Sequence, residues 1–274
     1  MRARPERYRR HPTWQPQARS TLTAMERDSY APGTPCWVDL GSPDIEASEA
    51  FYSSLLGWEL DEAHPDAGGY RIANLNGKRV AGFGPQMGPV SAWTTYFATD
   101  DADAHAAAIS ANGGTIVMGP MDVMDQGRMA IAMDPEGAAF GLWQAGAHTG
   151  SQLVKEPGTC GWNELWTRNL DQAKAFYPAV LGTTPDDQAM HGYTLWMVDG
   201  QMVGGAMTVP PDMPPQVPAH WAVYFVVEDV DAAAARMPEL GGAVVAPPFD
   251  VKGVGRIAIV HGPAHESFGL FAAE

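Results

Sequence analysis

The sequence predicts an α+β protein made of two consecutive, homologous domains. Three observations carry this: a long internal repeat, a strand–helix–strands order inside each copy, and a core-sized content of apolar residues. Repeats are sought first because they decide architecture. Trp37, Asp39, Phe51 and Tyr52 recur 125 positions later as Trp162, Glu164, Phe176 and Tyr177. Gly69-Tyr70 returns as Gly192-Tyr193. Trp93, Asp101, Gly113-Gly114, Gly127-Arg128 and Phe140-Gly141-Leu142 return at an offset of 128, as Trp221, Asp229, Gly241-Gly242, Gly255-Arg256 and Phe268-Gly269-Leu270. A longer Pro-rich loop over 209–218 in the second copy accounts for the change of offset.

The elements follow in order. A short apolar strand at 37–40 meets Pro43-Asp44, and a helical pattern follows with Ile45, Phe51, Leu55 and Leu56. Asp44 suits the N-cap, because its carboxylate accepts a free N–H of the first turn, and Gly57 suits the C-cap. Strands are expected at 70–75 and 80–84, with a short piece before them. The order then repeats: a strand at 93–98, Asp100-Asp101, an Ala-rich helix at 102–110, Gly113-Gly114, and strands near 115–118, 129–133 and 139–143. The second copy does the same from Trp162 and again from Trp221. The chain therefore holds four strand–helix–three-strand modules, two per domain. Consecutive strands favour α+β over alternating βαβ units. The boundaries read as a basic leader at 1–30, domains at 31–147 and 159–274, and a polar linker at 148–158 containing Gly150, Pro157 and Gly158.

The run Trp37-Val38-Asp39-Leu40, then Pro43-Asp44, Phe51-Tyr52 and Leu56-Gly57-Trp58, resembles the vicinal oxygen chelate superfamily. So does Asp134-Pro135-Glu136-Gly137 followed by Phe140-Gly141-Leu142. The superfamily includes glyoxalases, bleomycin-resistance proteins, fosfomycin-modifying enzymes and extradiol dioxygenases. The resemblance covers nearly all of 33–272, and is nearest to two-domain actinobacterial members called glyoxalase-like. It implies paired βαβββ modules whose strands curl around a cleft for a small molecule. It also implies a divalent metal held by His or Glu from the first strand of each module and Glu from the last, acting as a Lewis acid. Those positions fall on Trp37, Thr94 and Gly141 in the first copy and on Trp162, Ala222 and Gly269 in the second. None of these side chains ligates a metal, so no metal and no other cofactor is expected.

Side chains two apart on a strand share a face, so Trp37 points with Asp39, and Trp162 with Glu164 and Trp166. A pseudo-twofold between modules would set Glu164 opposite His220, with Tyr224 nearby. Glu164, His220 and Tyr224 are thus the candidate catalytic residues, and Trp162, Trp166, Trp37, Asp39 and Tyr96 the candidate substrate contacts. A structural pair under an aromatic core is the bland reading of Glu164 and His220. Asp39 has Ala92 where the second copy has His220. His261 and His265 flank the last turn of the second copy, where they would join His220 in an altered metal site or simply be solvated. Arg128 and Arg256 suit inter-strand ion pairs or a carboxylate ligand. Met118, Met121, Met124, Met129 and Met133 suit an adaptable apolar wall.

Composition limits the partners. The net charge is −15, yet residues 1–30 carry about +4, leaving −19 on the remainder. So acidic a body repels phosphate backbones, and no nucleic-acid partner is expected. No apolar run reaches the ~18 residues of a membrane span. Two cysteines without a CxxC pair fit a reducing cytoplasm. The leader reads as disordered, and Met25 is an alternative start. Two function classes remain: an enzyme doing acid/base chemistry on a small carbonyl or aromatic metabolite, or a non-catalytic binder that sequesters a planar compound between tryptophans. The oligomeric state is left open.

Overall fold

A computed structural model describes residues 25–63, 65–190, 192–211, 213–214 and 217–274. Of the leader expected over 1–30, residues 1–24 lie outside the described residues. Met25–Glu26 forms a short strand, β1, which pairs antiparallel with Leu153–Val154, β10. The segment expected as a linker is therefore built into the fold, with His148 and Ser151 buried. Tyr30, assigned to the leader, donates its hydroxyl to the Ser151 carbonyl at 2.5 Å.

In the first domain β2 (Pro35–Ser42) leads to α1 (Ile45–Leu56), then β3 (Glu59–Leu60), β4 (Arg71–Leu75) and β5 (Lys78–Pro85). The second module runs β6 (Ala92–Ala98), α2 (Ala102–Ala111), β7 (Thr115–Val123), β8 (Gly127–Met133) and β9 (Ala139–Ala145). The second domain repeats this as β11 (Cys160–Thr167), α3 (Leu170–Leu181), β12 (Thr184–Met190), β13 (Tyr193–Val198) and β14 (Gln201–Thr208). It ends with β15 (His220–Val226), α4 (Val230–Arg236), β16 (Ala243–Val251), β17 (Gly255–His261) and β18 (Ser267–Ala273). The caps expected at Asp44 and Gly57 form, and Asp101 and Asp229 cap α2 and α4 in the same way. The Asp44, Asp101 and Asp229 carboxylates accept from Ala47, Ala104 and Ala232 N–H at 2.9–3.0 Å, and Gly57 ends α1 at φ 77°.

Each domain is one eight-stranded sheet, ordered β3-β4-β5-β2-β6-β9-β8-β7 and β12-β13-β14-β11-β15-β18-β17-β16. Both halves of each curled sheet thus come from the same domain. The two modules meet where β2 pairs antiparallel with β6, and β11 with β15.

One face of each sheet packs against the other domain. Val38, Tyr52, Trp58 and Phe83 share one core with Phe225 and Phe268, and Phe140 and Ile109 share another with Phe176, Tyr177 and Trp221. Two hydrogen-bonded relays cross this interface reciprocally. Trp93 Nε1 donates to Tyr52 Oη at 3.0 Å, which donates to Glu266 Oε1 at 2.8 Å. Trp221 Nε1 donates to Tyr177 Oη at 2.9 Å, which donates to Asp134 Oδ2 at 3.0 Å. Between them, Thr95 Oγ1 donates to Asn163 Oδ1 at 2.8 Å. Among the described residues no helix is long and apolar enough to cross a membrane.

Candidate functional site

The opposite, concave face of each sheet holds one carboxylate. In the second domain β11 alternates so that Leu165 enters the inter-domain core while Trp162, Glu164 and Trp166 face the concavity. Glu164 is 7% exposed, and three donors meet it: Tyr193 Oη to Oε1 at 2.7 Å, Tyr224 Oη to Oε2 at 2.8 Å, and Trp166 Nε1 to Oε2 at 2.6 Å. Trp162 Nε1 in turn donates to Tyr193 Oη at 2.8 Å. The first domain repeats the cluster around a shorter acid. Tyr70 and Tyr96 both donate to Asp39 Oδ2, at 3.2 and 2.9 Å, and Trp37 Nε1 donates to Tyr70 Oη at 2.9 Å. The surrounding walls are apolar, with Trp162, Ile257 and Ile259 in the second domain and Met129 and Ile131 in the first.

Burial sets the electrostatics. Desolvation raises Glu164 above the ordinary carboxylate range, against the pull of its Tyr193, Tyr224 and Trp166 hydrogen bonds and the charge of His220. Desolvation likewise lifts Asp39 to about 6, opposed by Tyr96, Tyr70 and Thr94. The same burial, reinforced by the neighbouring carboxylates, pushes Tyr70, Tyr96, Tyr193 and Tyr224 well above the ordinary phenol value, so they stay protonated and donate.

Glycines make room for these tyrosines. A Cβ on Gly82 or Gly205 would lie 1.9 or 2.0 Å from the Tyr70 or Tyr193 hydroxyl, and one on Gly141 or Gly269 would lie 2.1 or 2.0 Å from the Tyr96 or Tyr224 ring. Gly141 and Gly269 are positions where the resemblance places a metal-binding Glu, and a tyrosine ring lies across each. With Trp37, Thr94, Trp162 and Ala222 at the others, the residues do not fit a divalent ion. Among the described residues no group of three His, Cys, Asp or Glu is placed to hold one.

The expected juxtaposition of Glu164 and His220 is corrected by the register. Glu164 stands opposite Ala222, and His220 opposite Trp166. The pseudo-twofold passes through the pair Asn163 and Val223, so the metal-ligand reference positions, Trp162 and Ala222, do not oppose one another. His220 stacks on Trp166 at 6.0 Å and 23°, with Nδ1 2.9 Å from the Pro218 carbonyl. It sits at the rim, and its place against the carboxylate is taken by Tyr224 and Tyr193. Tyr193 and Tyr70 were missed as site residues, although the repeated Gly-Tyr pair marks both. Asp39, Tyr96 and Trp37 come together as a group. Arg128 pairs with Asp122 on the neighbouring strand β7 and Asp103 on α2, and Arg256 with Asp250 on β16 and Asp231 on α4, so each ties its strand to both a strand and a helix. Of the methionine wall, Met129 packs on the Trp37 cluster, while Met121, Met124 and Met133 are exposed.

Residues 36–142 and 153–269 each match the model of the Glyoxalase/Bleomycin resistance protein/Dioxygenase superfamily. The chain is 43% identical over 257 residues to the Mycobacterium tuberculosis protein named "Putative glyoxylase CFP32", covering 89% of this chain and 97% of that one. It is 42% identical over 240 residues to the anthracycline biosynthesis protein DnrV of Streptomyces peucetius, covering 81% and 86%. Among solved structures, the Mn(II)-bound glyoxalase from Novosphingobium aromaticivorans shares the fold at TM-score 0.61 and 17% identity, over 88% of this chain and 82% of that one. Two tandem matches and an identity above 40% across both domains make the chain a member of the Glyoxalase/Bleomycin resistance protein/Dioxygenase superfamily.

Proposed function

We propose that this protein acts on a small carbonyl-bearing aromatic metabolite by metal-independent proton transfer in the concave cleft of its second domain. The observation that carries the reading is Glu164, a buried carboxylate raised above its ordinary range and held by two phenols that stay protonated. A carboxylate of raised pKa is a better base near neutrality. Glu164 would take a proton from the carbon beside the substrate carbonyl and return it at a second position, an isomerisation with no net change of atoms. As Glu164 becomes protonated it loses strength as an acceptor. Tyr224 and Tyr193 are then free to donate to the enolate oxygen that develops. Trp162 and Trp166, with His220 stacked at the rim, offer flat surfaces for the ring system. The 42% identity to an anthracycline biosynthesis protein supports a polycyclic aromatic substrate. The two free, buried cysteines support a reducing cytoplasm as its location.

The test is exchange of a substrate α-proton with deuterated solvent, across a panel of polycyclic aromatic ketones. Glu164→Gln is expected to lower the exchange rate by about 10²–10⁴, and Tyr224→Phe by about tenfold. Equal rates in wild type and Glu164→Gln would sink the proposal. A second reading, sequestration without turnover, is favoured by one feature: both Glu164 oxygens already have partners inside the protein. Under that reading the compound is recovered unlabelled and chemically unchanged.

A further inference from the structure

The two clefts share their floor and differ at their ends. Where the second domain stacks His220 on Trp166, the first has Ala92 and Gly41, so no aromatic clamp closes that end. At the other end the relation reverses. The His148 ring stands edge-on to Trp37 at 4.4 Å and lies 5.4 Å from Trp143. The Arg79 guanidinium is 3.3 Å from His148 Nδ1. In the second domain Met202 stands at the position of Arg79.

Arg79 is half-buried, and among the described residues no Asp or Glu lies within ion-pair range of it. The other first-domain arginines, Arg71 and Arg128, each hold two acids. Arg79 has only N–H groups to offer, so His148 Nδ1 accepts and the ring proton sits on Nε2. That nitrogen is buried without a partner. A half-buried cation lacking a counter-ion, set one ring away from Trp37, is complementary to an anion. The wall beside it is apolar. Met129 and Ile131 pack on Trp37, Tyr96 and Trp143. Cross-strand partners share a face, so Met121, paired with Met129, and Met133, two residues beyond Ile131, extend the same wall; they are 45% and 38% exposed.

We propose that the first domain's cleft is a second ligand site, selective for a flat aromatic compound bearing a carboxylate, with Arg79 as its counter-ion and the methionine wall against its ring. This rests on the reading that the clefts hold small molecules, and it assigns the second site a charge preference that the second domain lacks.

Anthraquinone-2-carboxylate and the uncharged anthraquinone-2-carboxamide serve as probes. Each is titrated into the full-length chain by calorimetry, with tryptophan quenching as a parallel readout. Trp166→Ala, which strips the clamp of the second domain, should leave carboxylate binding at the first domain intact. In that background Arg79→Met should weaken the carboxylate about tenfold while leaving the carboxamide unchanged, and Arg79→Lys should restore most of the difference. An unchanged carboxylate-to-carboxamide ratio in Arg79→Met overturns the proposal. So does loss of all binding in Trp166→Ala, or failure of both probes to bind the wild type. These outcomes are independent of deuterium exchange at Glu164, so either reading can fail without the other.

Discussion

Asp39 and His148 lie on the same side of the first domain and titrate in opposite senses. Burial raises Asp39 to about 6, whereas burial and the Arg79 charge depress His148 to about 4. In the unfolded chain Asp39 ionises near ~3.9 and His148 near ~6.5. Between roughly pH 4 and 6 the folded state therefore holds the Asp39 proton more tightly, and this group adds stability as the pH falls. Over about pH 6.5 to 4 the unfolded state takes up the His148 proton first, and that group removes stability as the pH falls. Asp39→Asn abolishes only the first contribution. The difference in Tm, wild type minus variant, should grow from pH 7 to pH 5 in thermal melts. A difference independent of pH would mean that Asp39 ionises as an ordinary carboxylate.

At the scale of elements, the glycines of β5, β9, β14 and β18 decide whether the carboxylate clusters form. The tyrosine ring lies flat on the neighbouring strand only where that strand has no side chain. Gly269→Ala would put a Cβ 2.0 Å from the Tyr224 ring and expel it from Glu164. We expect a loss of about 1–3 kcal/mol in denaturant unfolding, together with the loss of exchange activity predicted for Tyr224→Phe. Gly41→Ala is the matched control. Its Cβ would meet nothing nearer than 3.5 Å, and its effect should stay within about 0.5 kcal/mol. If the two substitutions cost the same, the tyrosine seat is not what these glycines provide.

For the whole molecule, the inter-domain face behaves as a core. The two largest buried clusters take side chains from both domains, and each relay ends on a carboxylate of the opposite domain. Tyr52→Phe removes the donor to Glu266 and the acceptor of Trp93, and should cost about 1–3 kcal/mol. Unfolding should remain a single transition, because neither domain can lose its partner and keep its core. A fragment of residues 153–274 should fail to give a folded monomer by circular dichroism and size-exclusion chromatography. A stable monomeric fragment would show that each domain carries a sufficient core alone.

How much was legible follows from what each feature depends on. Repeated Trp, Asp, Phe-Tyr and Gly-Gly signals, held at constant offsets, revealed the tandem α+β domains, because such signals are local and recur in order. The caps Asp44 and Gly57 were legible for the same reason: a cap is read within one helical turn. Alternation along single strands also grouped Trp162 with Glu164 and Trp37 with Asp39. What faces what across strands was decided only by tertiary structure. A register is a relation between segments about sixty residues apart, and a one-residue error in its centre put His220 in place of Ala222 opposite Glu164. Tyr70 and Tyr193 reach the carboxylates across an intervening strand, over glycines whose role is invisible until the sheet curls. The same holds for Arg79 beside His148, brought together only when the segment after β9 folds back on β5. Sequence by itself determined the repeat, the elements and the acid in each cleft, since these rest on local periodicity. Tertiary structure decided the partners of each acid and the fusion of the two domains through shared cores, since these rest on packing between distant segments.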